Sequence, residues 1–251
     1  IPNWHTNYDY YSEIYFKKNL ILKKVKNILH QNLKNNFFSG IIVTGEISKK
    51  KFLEYSENVF NANEICLKNF NIFKINKYSL KKTINFIYTG RIALEKNLIF
   101  IVKILDNLNN SSFNNFIMHF IGDGPYLKKL KTLINKNIID KCVFYGDTNY
   151  SDIINIYSKL DNRIFIQPSI SETFGKSTME ASFSGIPIFV ITCDIHNLLY
   201  TENNSFIFQN VKDFKNQLTF FFKLKYYQQK KLLLMVLIML KNMIKKLYLI
   251  I

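Results

Sequence analysis

The 251-residue sequence is short of cysteine, has no apolar run long enough to cross a bilayer, and contains no Asp-x-Asp motif. Cys66, Cys142 and Cys193 are odd in number and lack metal-ligand partners nearby, so they predict reduced, buried thiols. The longest apolar run, residues 232–240, has half the length of a transmembrane helix. No signal peptide opens the chain, which begins at Ile1 in mid-pattern. We expect a cytoplasmic protein and, from this beginning, a fragment of a longer chain.

Acidic residues are also scarce, since 18 Asp and Glu oppose 34 Lys and Arg and give a formal net charge of +16. Such an excess suits phosphates, anionic lipid surfaces or nucleic acid and does not choose among them. The many Asn, Lys, Ile, Phe and Tyr residues are also what an AT-rich genome would encode without selection for a basic surface. The lysines form no aromatic-interleaved groove and no known module, so we expect no nucleic-acid partner.

Short β-branched and aromatic runs alternate along the chain with longer patterns of helical spacing. An early strand at 40–45 precedes a helix near 47–58. Later strands are predicted at 84–90, 116–122, 142–146, 163–169 and 186–192. This alternation predicts an α/β fold with a Rossmann-like parallel sheet, helices on both faces, and part of a second α/β domain.

The polar, unpatterned segment 76–82 is the best candidate for a linker between domains. We therefore predict part of a first α/β domain over 1–80 and a complete one over 81–225. Residues 226–251 are rich in Lys and Leu and predict a helical tail.

Two motifs follow predicted strands, at the sheet edge where open parallel sheets bind ligands. Arg91 comes directly after a strand that ends at Gly90, and Lys96 opens the next helix, which together could hold a diphosphate. On spacing alone, two exposed cations with Glu95 favouring the helix start are the stronger interpretation. The turn at 121–126, Ile-Gly-Asp-Gly-Pro-Tyr, does not complete a phosphate-binding glycine motif, and we interpret it as structural.

The stretch "SETFGKSTMEAS", residues 171–182, holds Glu172 and Glu180 on either side of Gly175. Gly175 allows backbone to approach a ligand closely, and a helix is predicted to begin near Lys176. Two acids so placed could bind different pairs of hydroxyl groups on one molecule. The alternative explanation, that the two acids only stabilise the start of the helix, accounts moderately well for Glu180 and poorly for Glu172. His5 follows a short run that could end a strand, and sequence alone gives it no function.

Four blocks, in order, carry a family resemblance: "YTGRIALEKN", "FIGDGPYLKKL", "VFYGDTNYSDIINIYSKLD" and "IQPSISETFGKSTMEASFSGIPI". Together they resemble the donor half of a family 4 retaining glycosyltransferase of GT-B fold, and Glu172 to Glu180 matches its E-x7-E signature. Within this family, the chain most resembles the lipid-directed mannosyl-, glucosyl- and sulfoquinovosyl-transferases. The resemblance covers 84–210 well and 1–75 weakly.

The resemblance implies transfer of a hexose from a UDP- or GDP-linked nucleotide-sugar to a lipid or glycan acceptor. It also implies a protein that binds peripherally to the cytoplasmic face of an anionic membrane. Arg91 and Lys96 would hold the donor diphosphate in place of a metal, so no metal or other cofactor is expected. Glu172 would orient the sugar, and His5 would reach it from the acceptor domain. The other implied contacts are Gly90, Phe174, Gly175 and Lys176 for sugar and phosphate, Glu180 for ribose and Gly146 for the base. The alternative is a non-catalytic nucleotide-sugar-binding remnant or subunit.

Overall fold

The computed structural model describes residues 3–4, 24, 27–28, 31–32, 39–43, 49–50, 52–61, 77–170, 172, 175–191, 193, 200–201 and 204–248. His5 and Phe174 lie outside these residues. The chain divides into two compact units. The first unit comprises Ile1–Cys66, Ser171–Gly175 and Cys193–Ile195, and the second comprises Leu67–Ile170, Lys176–Thr192 and His196–Ile251.

The first unit contains a three-stranded parallel sheet of β1 (Asn3–Trp4), β2 (Ile41–Val43) and β3 (Val59–Asn61), in the order β1-β2-β3. Phe52 packs with buried side chains of β2 and β3. The helix predicted over 47–58 is too long, because the chain is in a turn from residue 53. The Ser56 hydroxyl accepts a hydrogen bond from the Asn58 N–H at 3.2 Å, which offers the backbone a non-helical alternative.

The second unit is built on a six-stranded sheet in the order β6-β5-β4-β7-β8-β9, with every neighbouring pair parallel. Its strands are β4 (Ile84–Thr89), β5 (Phe116–Ile121), β6 (Cys142–Gly146), β7 (Arg163–Gln167), β8 (Ile188–Ile191) and β9 (Phe206–Phe208). This confirms the predicted α/β fold class. The three-residue strand β9 was not predicted, because so short an apolar run carries no period.

Seven helices are described in the second unit, together with a 3-10 turn at Leu94–Lys96. They are α1 (Leu98–Asn109), α2 (Leu127–Leu133), α3 (Lys136–Ile139), α4 (Tyr150–Lys159), α5 (Lys176–Phe183), α6 (Val211–Lys223) and α7 (Tyr226–Tyr248). The helix at Lys176 begins where the sequence predicts. Lys96 does not open α1 as predicted, because the 3-10 turn ends there and Asn97 adopts a left-handed conformation before α1 starts.

Phenylalanine fills one face of the six-stranded sheet. Phe86 and Phe120 point to the same core as buried residues of α1 and α6. Phe189 stacks on Phe206 with ring centroids 4.5 Å apart, and Phe214 closes over Phe189 at 5.3 Å. Aromatic pairs in such geometry stabilise a core beyond the area that they bury.

The opposite face of the sheet is more polar and packs on α4. Thr89 at the end of β4 shares a hydrogen bond of 2.7 Å with the Tyr157 hydroxyl. Arg163 at the start of β7 donates to the Tyr157 carbonyl at 2.7 Å. The helix that crosses from β6 to β7 is therefore fixed over β4 by polar contacts.

The predicted linker at 76–82 is anchored to the second unit in its described part. Tyr78 is buried against Phe221, with ring centroids 4.8 Å apart. The Asn162 amide donates to the carbonyls of Ser79 at 3.0 Å and Lys82 at 3.3 Å. This segment enters the sheet along a defined path.

Strand order decides where a ligand can bind in such a sheet. Numbered from β4, the order is 3-2-1-4-5-6, so successive connections leave β4 and β7 in opposite directions. A crevice opens between the carboxyl ends of two strands at such a switch point. The loops after β4 and β7 are therefore the first place to look for a site.

Candidate ligand-binding site

A cavity of about 700 Å³ opens at the carboxyl ends of β4, β5 and β6. Its walls come from the loops after these three strands and from the first turn of α4. Gly90 and Arg91, both predicted to bind a ligand, line it, and the predicted Gly146 directly precedes its Asp147. The lining residues are Thr89, Gly90, Arg91, Ile121, Gly122, Asp123, Gly124, Asp147, Thr148 and Ile153.

The loops that form the cavity wall are joined by backbone hydrogen bonds. The Gly90 N–H donates to the Ile121 carbonyl at 3.0 Å, and the Ile92 N–H donates to Asp123 at 2.8 Å. The Gly122 N–H donates to the Gly146 carbonyl at 2.9 Å. The three strand ends thus continue the sheet into the loops and connect the loops to one another.

Two glycines let these loops cross at close range. A Cβ on Gly122 would stand 2.2 Å from the Gly90 carbonyl oxygen, and one on Gly124 would stand 2.3 Å from that of Ile92. Gly122 also has a φ of +129°, which an L side chain rarely adopts. The turn is structural, as predicted, but it also forms a wall of the cavity. The sequence could not show this second role, because Gly-Asp-Gly-Pro is ordinary turn chemistry.

Arg91 is held in the cavity wall from both ends. The buried Tyr88 hydroxyl donates to its carbonyl at 2.8 Å. Its guanidinium forms an ion pair with Glu95 at 2.5 Å, in which the Glu95 side chain is 7% exposed and the Arg91 side chain 46%. Glu95 is therefore a buried counterion of Arg91, which corrects its interpretation as an acid that only favours a helix start.

The residues after Arg91 connect the two sides of the crevice. Lys96 is half-buried at the end of the 3-10 turn. Asn97 has a φ of 52°, and its side-chain amide donates to the Pro168 carbonyl at 3.2 Å. The start of α1 is thus tied to the end of β7, directly across the switch point.

Two acids of the cavity wall were not predicted. The Asp123 carboxylate accepts a hydrogen bond from the Gly124 N–H at 2.6 Å, and Asp147 follows Gly146 on the neighbouring loop. Beside Asp147, the Thr148 hydroxyl donates to the Gly146 carbonyl at 2.9 Å. Their only sequence signal is position, since each follows a strand on the ligand-binding edge.

Glu180 lies in α5 and is only 9% exposed. No residue in the described part of the chain donates a hydrogen bond to its carboxylate. Burial raises the pKa of Glu180, and the charge of Lys176 one turn earlier partly opposes this shift. Burial raises the pKa of the Tyr157 hydroxyl, its hydrogen bond with Thr89 in the cavity wall opposes that rise, and the charge of Glu180 adds to it.

Two hydroxyl groups, one before and one after residues 171–175 in the sequence, are buried and form no hydrogen bond with any residue that the structure describes. They are Ser169 Oγ, just after β7, and Thr178 Oγ1 in α5. Buried hydroxyls nearly always have a partner.

Glu172 and Gly175 belong to the first unit, and Gly175 has a φ of 71°.

His119, the one buried histidine among the described residues, has a structural role. Its Nε2 faces the Asn85 side-chain oxygen at 3.0 Å, and its Nδ1 faces the Tyr145 hydroxyl at 2.9 Å. Burial lowers the pKa of His119 to about 4. Since Asn85 offers an acceptor to Nε2, the neutral ring donates there and accepts from Tyr145.

Three further observations concern the described residues alone. They contain no group of three His, Cys, Asp or Glu side chains that could hold a metal ion. None of their helices is both long and apolar enough to cross a membrane. Cys142 and Cys193 are free thiols, and burial raises the pKa of Cys142 to about 12.

A family model described as glycosyl transferases group 1 matches residues 68–233, well over half of the chain and all six strands of the second unit's sheet. The chain belongs to this family. It is 34% identical over 102 residues to the sulfoquinovosyl transferase of Arabidopsis thaliana, covering 41% of this chain and 18% of that one.

A second curated relative is the capsular polysaccharide biosynthesis glycosyltransferase CapH of Staphylococcus aureus. It is 26% identical over 200 residues, covering 77% of this chain and 48% of its own length. The chain therefore spans less than half of either relative. The crystal structure of the pneumococcal O-GlcNAc transferase GtfA in complex with UDP and GlcNAc superposes with a TM-score of 0.61 at 18% identity, covering 86% of this chain and 47% of that one. This likeness establishes the shared GT-B fold.

Proposed function

We propose that this glycosyltransferase-family chain binds a UDP- or GDP-linked sugar and retains its anomeric configuration while transferring the hexose to a lipid or glycan acceptor. The observation that carries the proposal is the cavity beside Arg91 at the carboxyl ends of β4–β6. Its volume of about 700 Å³ is in the range of small-molecule sites. A solved relative of the same fold is in complex with UDP.

Arg91 supports a diphosphate-binding role because it is fixed and still accessible. Glu95 orients the guanidinium from the buried side, and about half of the Arg91 side chain stays exposed toward a ligand. Lys96 would add a second positive charge one turn later. Two cations can stabilise a departing diphosphate as a divalent metal does, so we propose that no metal is required.

Glu180 supports ribose binding because its carboxylate is buried and lacks a hydrogen-bond donor among the described residues. Vicinal hydroxyls of a ribose would supply two donors and offset the cost of burying the charge. Gly146, next to the wall residue Asp147, would lie under the base. Glu172 would orient the transferred sugar, with contacts from His5 and the amides of Phe174, Gly175 and Lys176, as the family resemblance implies.

The chemistry proposed is a front-face displacement. The bond between the anomeric carbon and the diphosphate oxygen breaks, and the diphosphate leaves with the electron pair. The acceptor hydroxyl attacks from the same face and gives its proton to the departing diphosphate. Arg91 and Lys96 would stabilise the negative charge that develops on the leaving group.

Calorimetric titration of the full chain with UDP, GDP and ADP, each with and without EDTA, tests donor binding. We expect one nucleoside diphosphate to bind in EDTA, and Arg91→Ala to weaken it about tenfold to hundredfold, as for a lost charged hydrogen bond. Lys128→Ala, on the exposed side of α2, is the control and should bind normally. Binding that EDTA abolishes would contradict metal independence. Equal affinity of the Arg91 and Lys128 variants would contradict the site.

Transfer separates an enzyme from a non-catalytic donor-binding remnant. Slow hydrolysis of the bound nucleotide-sugar needs no acceptor, so its release of nucleoside diphosphate can be measured directly. Tight binding without hydrolysis or transfer would favour the remnant.

The net charge of +16 supports one further partner. We propose that the protein works at the cytoplasmic face of an anionic membrane, where lysines are attracted to acidic headgroups.

A further inference from the structure

The carboxyl-terminal side of the chain carries eight of its sixteen net positive charges. Residues 214–251 contain eight lysines and no aspartate or glutamate, although the whole chain has 18 acids. Such a segment is complementary to an extended anionic surface.

Helix α7, within this segment, is fixed to the second unit by its buried face. Leu233, Val236 and Leu237 are buried at helical spacing, and α7 packs against α5. The buried Gln229 side chain donates to the Phe221 carbonyl at 3.2 Å and accepts from the Tyr78 N–H at 3.4 Å. These contacts determine which face of α7 points outward.

The outward face carries large apolar side chains between lysines. Tyr227 is 63% exposed, Leu234 41% and Ile238 58%. Positions 227, 231, 234 and 238 follow one another at three- or four-residue spacing and therefore share a face. We call this surface the basic apolar stripe: Tyr227, Lys230, Lys231, Leu234 and Ile238, all exposed.

We propose that the basic apolar stripe lies on an anionic phospholipid surface, with Lys230 and Lys231 at the headgroups and Leu234 and Ile238 at the acyl boundary. This inference rests on the membrane partner proposed above and assigns that partner a surface. A helix with lysines beside large apolar side chains binds in the plane of the interface. In its described part, α7 is not long and apolar enough to cross the bilayer.

Other occupants fit the stripe less well. Nucleic acid would match the lysines but would leave Leu234 and Ile238 without an apolar partner. A second copy, paired across a two-fold axis, would bring lysine-rich stripes together without any acid to compensate them. A lipid interface satisfies both the charges and the apolar side chains.

Flotation of the full chain with vesicles of phosphatidylcholine, alone or mixed with phosphatidylglycerol, tests the proposal. The wild type should bind only the mixed vesicles and dissociate at high salt. Lys230→Glu/Lys231→Glu should weaken that binding at least about tenfold, given the contribution of each lysine near an anionic surface. Lys128→Glu/Lys129→Glu, exposed on α2, makes the same change in net charge and should bind within about twofold of the wild type. Equal losses in the two lysine pairs would overturn the proposal in favour of net charge.

The apolar part of the stripe has its own test. Leu234→Ser/Ile238→Ser should reduce vesicle binding severalfold, whereas Leu80→Ser/Ile99→Ser, at exposed positions elsewhere, should not. If the Leu234/Ile238 variant changes only self-association in sedimentation, a second copy occupies the stripe and the proposal is wrong. Wild-type binding to neutral vesicles alone would also overturn it.

Nucleotide titration of the same variants keeps the two proposals apart. Both α7 variants should bind the nucleoside diphosphate as the wild type does, because the stripe is not part of the cavity wall. A wild type that binds nucleotide but no vesicle would refute the membrane partner and the stripe and leave donor binding intact.

Discussion

The two sides of the crevice between β4 and β7 differ in whether their buried polar groups have hydrogen-bond partners. On the β4 side, the buried carboxylate of Glu95 is paired with Arg91 at 2.5 Å, and the neighbouring loops are joined by backbone hydrogen bonds. On the β7 side, Glu180 is also buried, at 9% exposed, and no described residue donates a hydrogen bond to its carboxylate. The hydroxyls of Ser169 and Thr178 have no described partner either.

We interpret this difference as one between buried groups that the fold itself satisfies and buried groups that a ligand would satisfy. A buried polar group without a hydrogen bond destabilises the folded state, and a ligand that supplies the bond recovers that free energy on binding. On the β4 side the buried acid already has a partner, so changes to that pair or to the loop crossing should lower stability, whatever they also do to nucleotide binding. If a ligand supplies the missing partners on the β7 side, changes there should lower affinity or turnover and leave stability unchanged or higher.

The largest expected effect is on the β4 side, at Gly122. An alanine Cβ would stand 2.2 Å from the Gly90 carbonyl oxygen, at a φ of +129°. We expect Gly122→Ala to lower the free energy of unfolding by about 3 kcal/mol or more, measured by urea denaturation. Gly146→Ala is the control, because its Cβ would meet nothing within 4 Å and only the φ of +73° is strained. It should cost about 1 kcal/mol, and equal losses would contradict the loop crossing.

The next effect is on turnover, at Glu172. Glu172→Gln keeps the size of the side chain and removes its charge. If Glu172 orients the transferred sugar, hydrolysis or transfer should fall about tenfold to hundredfold, since a charged hydrogen bond contributes about 1.5–3 kcal/mol. Affinity for the free nucleoside diphosphate, measured by calorimetry, should change little. A loss of that affinity as large as in Glu180→Gln would show that Glu172 does not contact the sugar.

The sequence predicted five of the six strands of the second unit, β4 to β8, because each is an apolar run bounded by polar residues or glycine. Position after a strand made Arg91 a candidate ligand-binding residue, and only the family resemblance made it, and Gly90 beside it, an expected ligand contact. The burial of Glu95 could not be predicted. An Arg and a Glu four residues apart look the same whether the pair is exposed or one partner is enclosed by other parts of the chain.

The close crossing of the loops at Gly122 and Gly124 could not be predicted from the sequence either. The same four residues form ordinary turns on protein surfaces, and only the proximity of Gly90 and Ile92 makes them a cavity wall. Asp123 and Asp147 were missed for the same reason, since tertiary structure brings separate strand ends to one cavity.

A smaller effect on stability is expected at the paired acid. Glu95→Gln removes the ion pair with Arg91 but keeps the side chain's shape. Because Arg91 is half-exposed, solvent screens the pair, and we expect a loss of about 1 kcal/mol in urea denaturation. Nucleotide affinity should also fall, since the guanidinium loses its orienting partner. Unchanged stability with unchanged affinity would show that the pair does not position Arg91.

The smallest effect, of opposite sign, is expected at Glu180. Burial raises the pKa of this carboxyl above its ordinary value of 4.5, so the folded state holds the proton to higher pH than the unfolded state. Wild-type stability therefore falls as pH rises from about 4.5 through the folded pKa. Glutamine has no proton to lose, so Glu180→Gln should raise the melting temperature of the ligand-free protein at neutral pH. The difference should disappear below about pH 4.5, where the wild type is protonated in both states.

This difference can be measured with melting curves recorded by scanning fluorimetry between about pH 4 and about pH 8. That range begins near the ordinary pKa of the carboxyl and extends well above it. Asp140→Asn, an exposed acid with the same change of charge, should show no comparable rise and controls for net charge. The same Glu180→Gln protein should bind the nucleoside diphosphate more weakly, because the ribose hydroxyls lose a charged acceptor. A rise in stability together with a loss of affinity is what a carboxylate buried for a ligand requires. A fall in melting temperature at neutral pH would mean instead that Glu180 is already paired in the free protein, and the contrast with Glu95 would not hold.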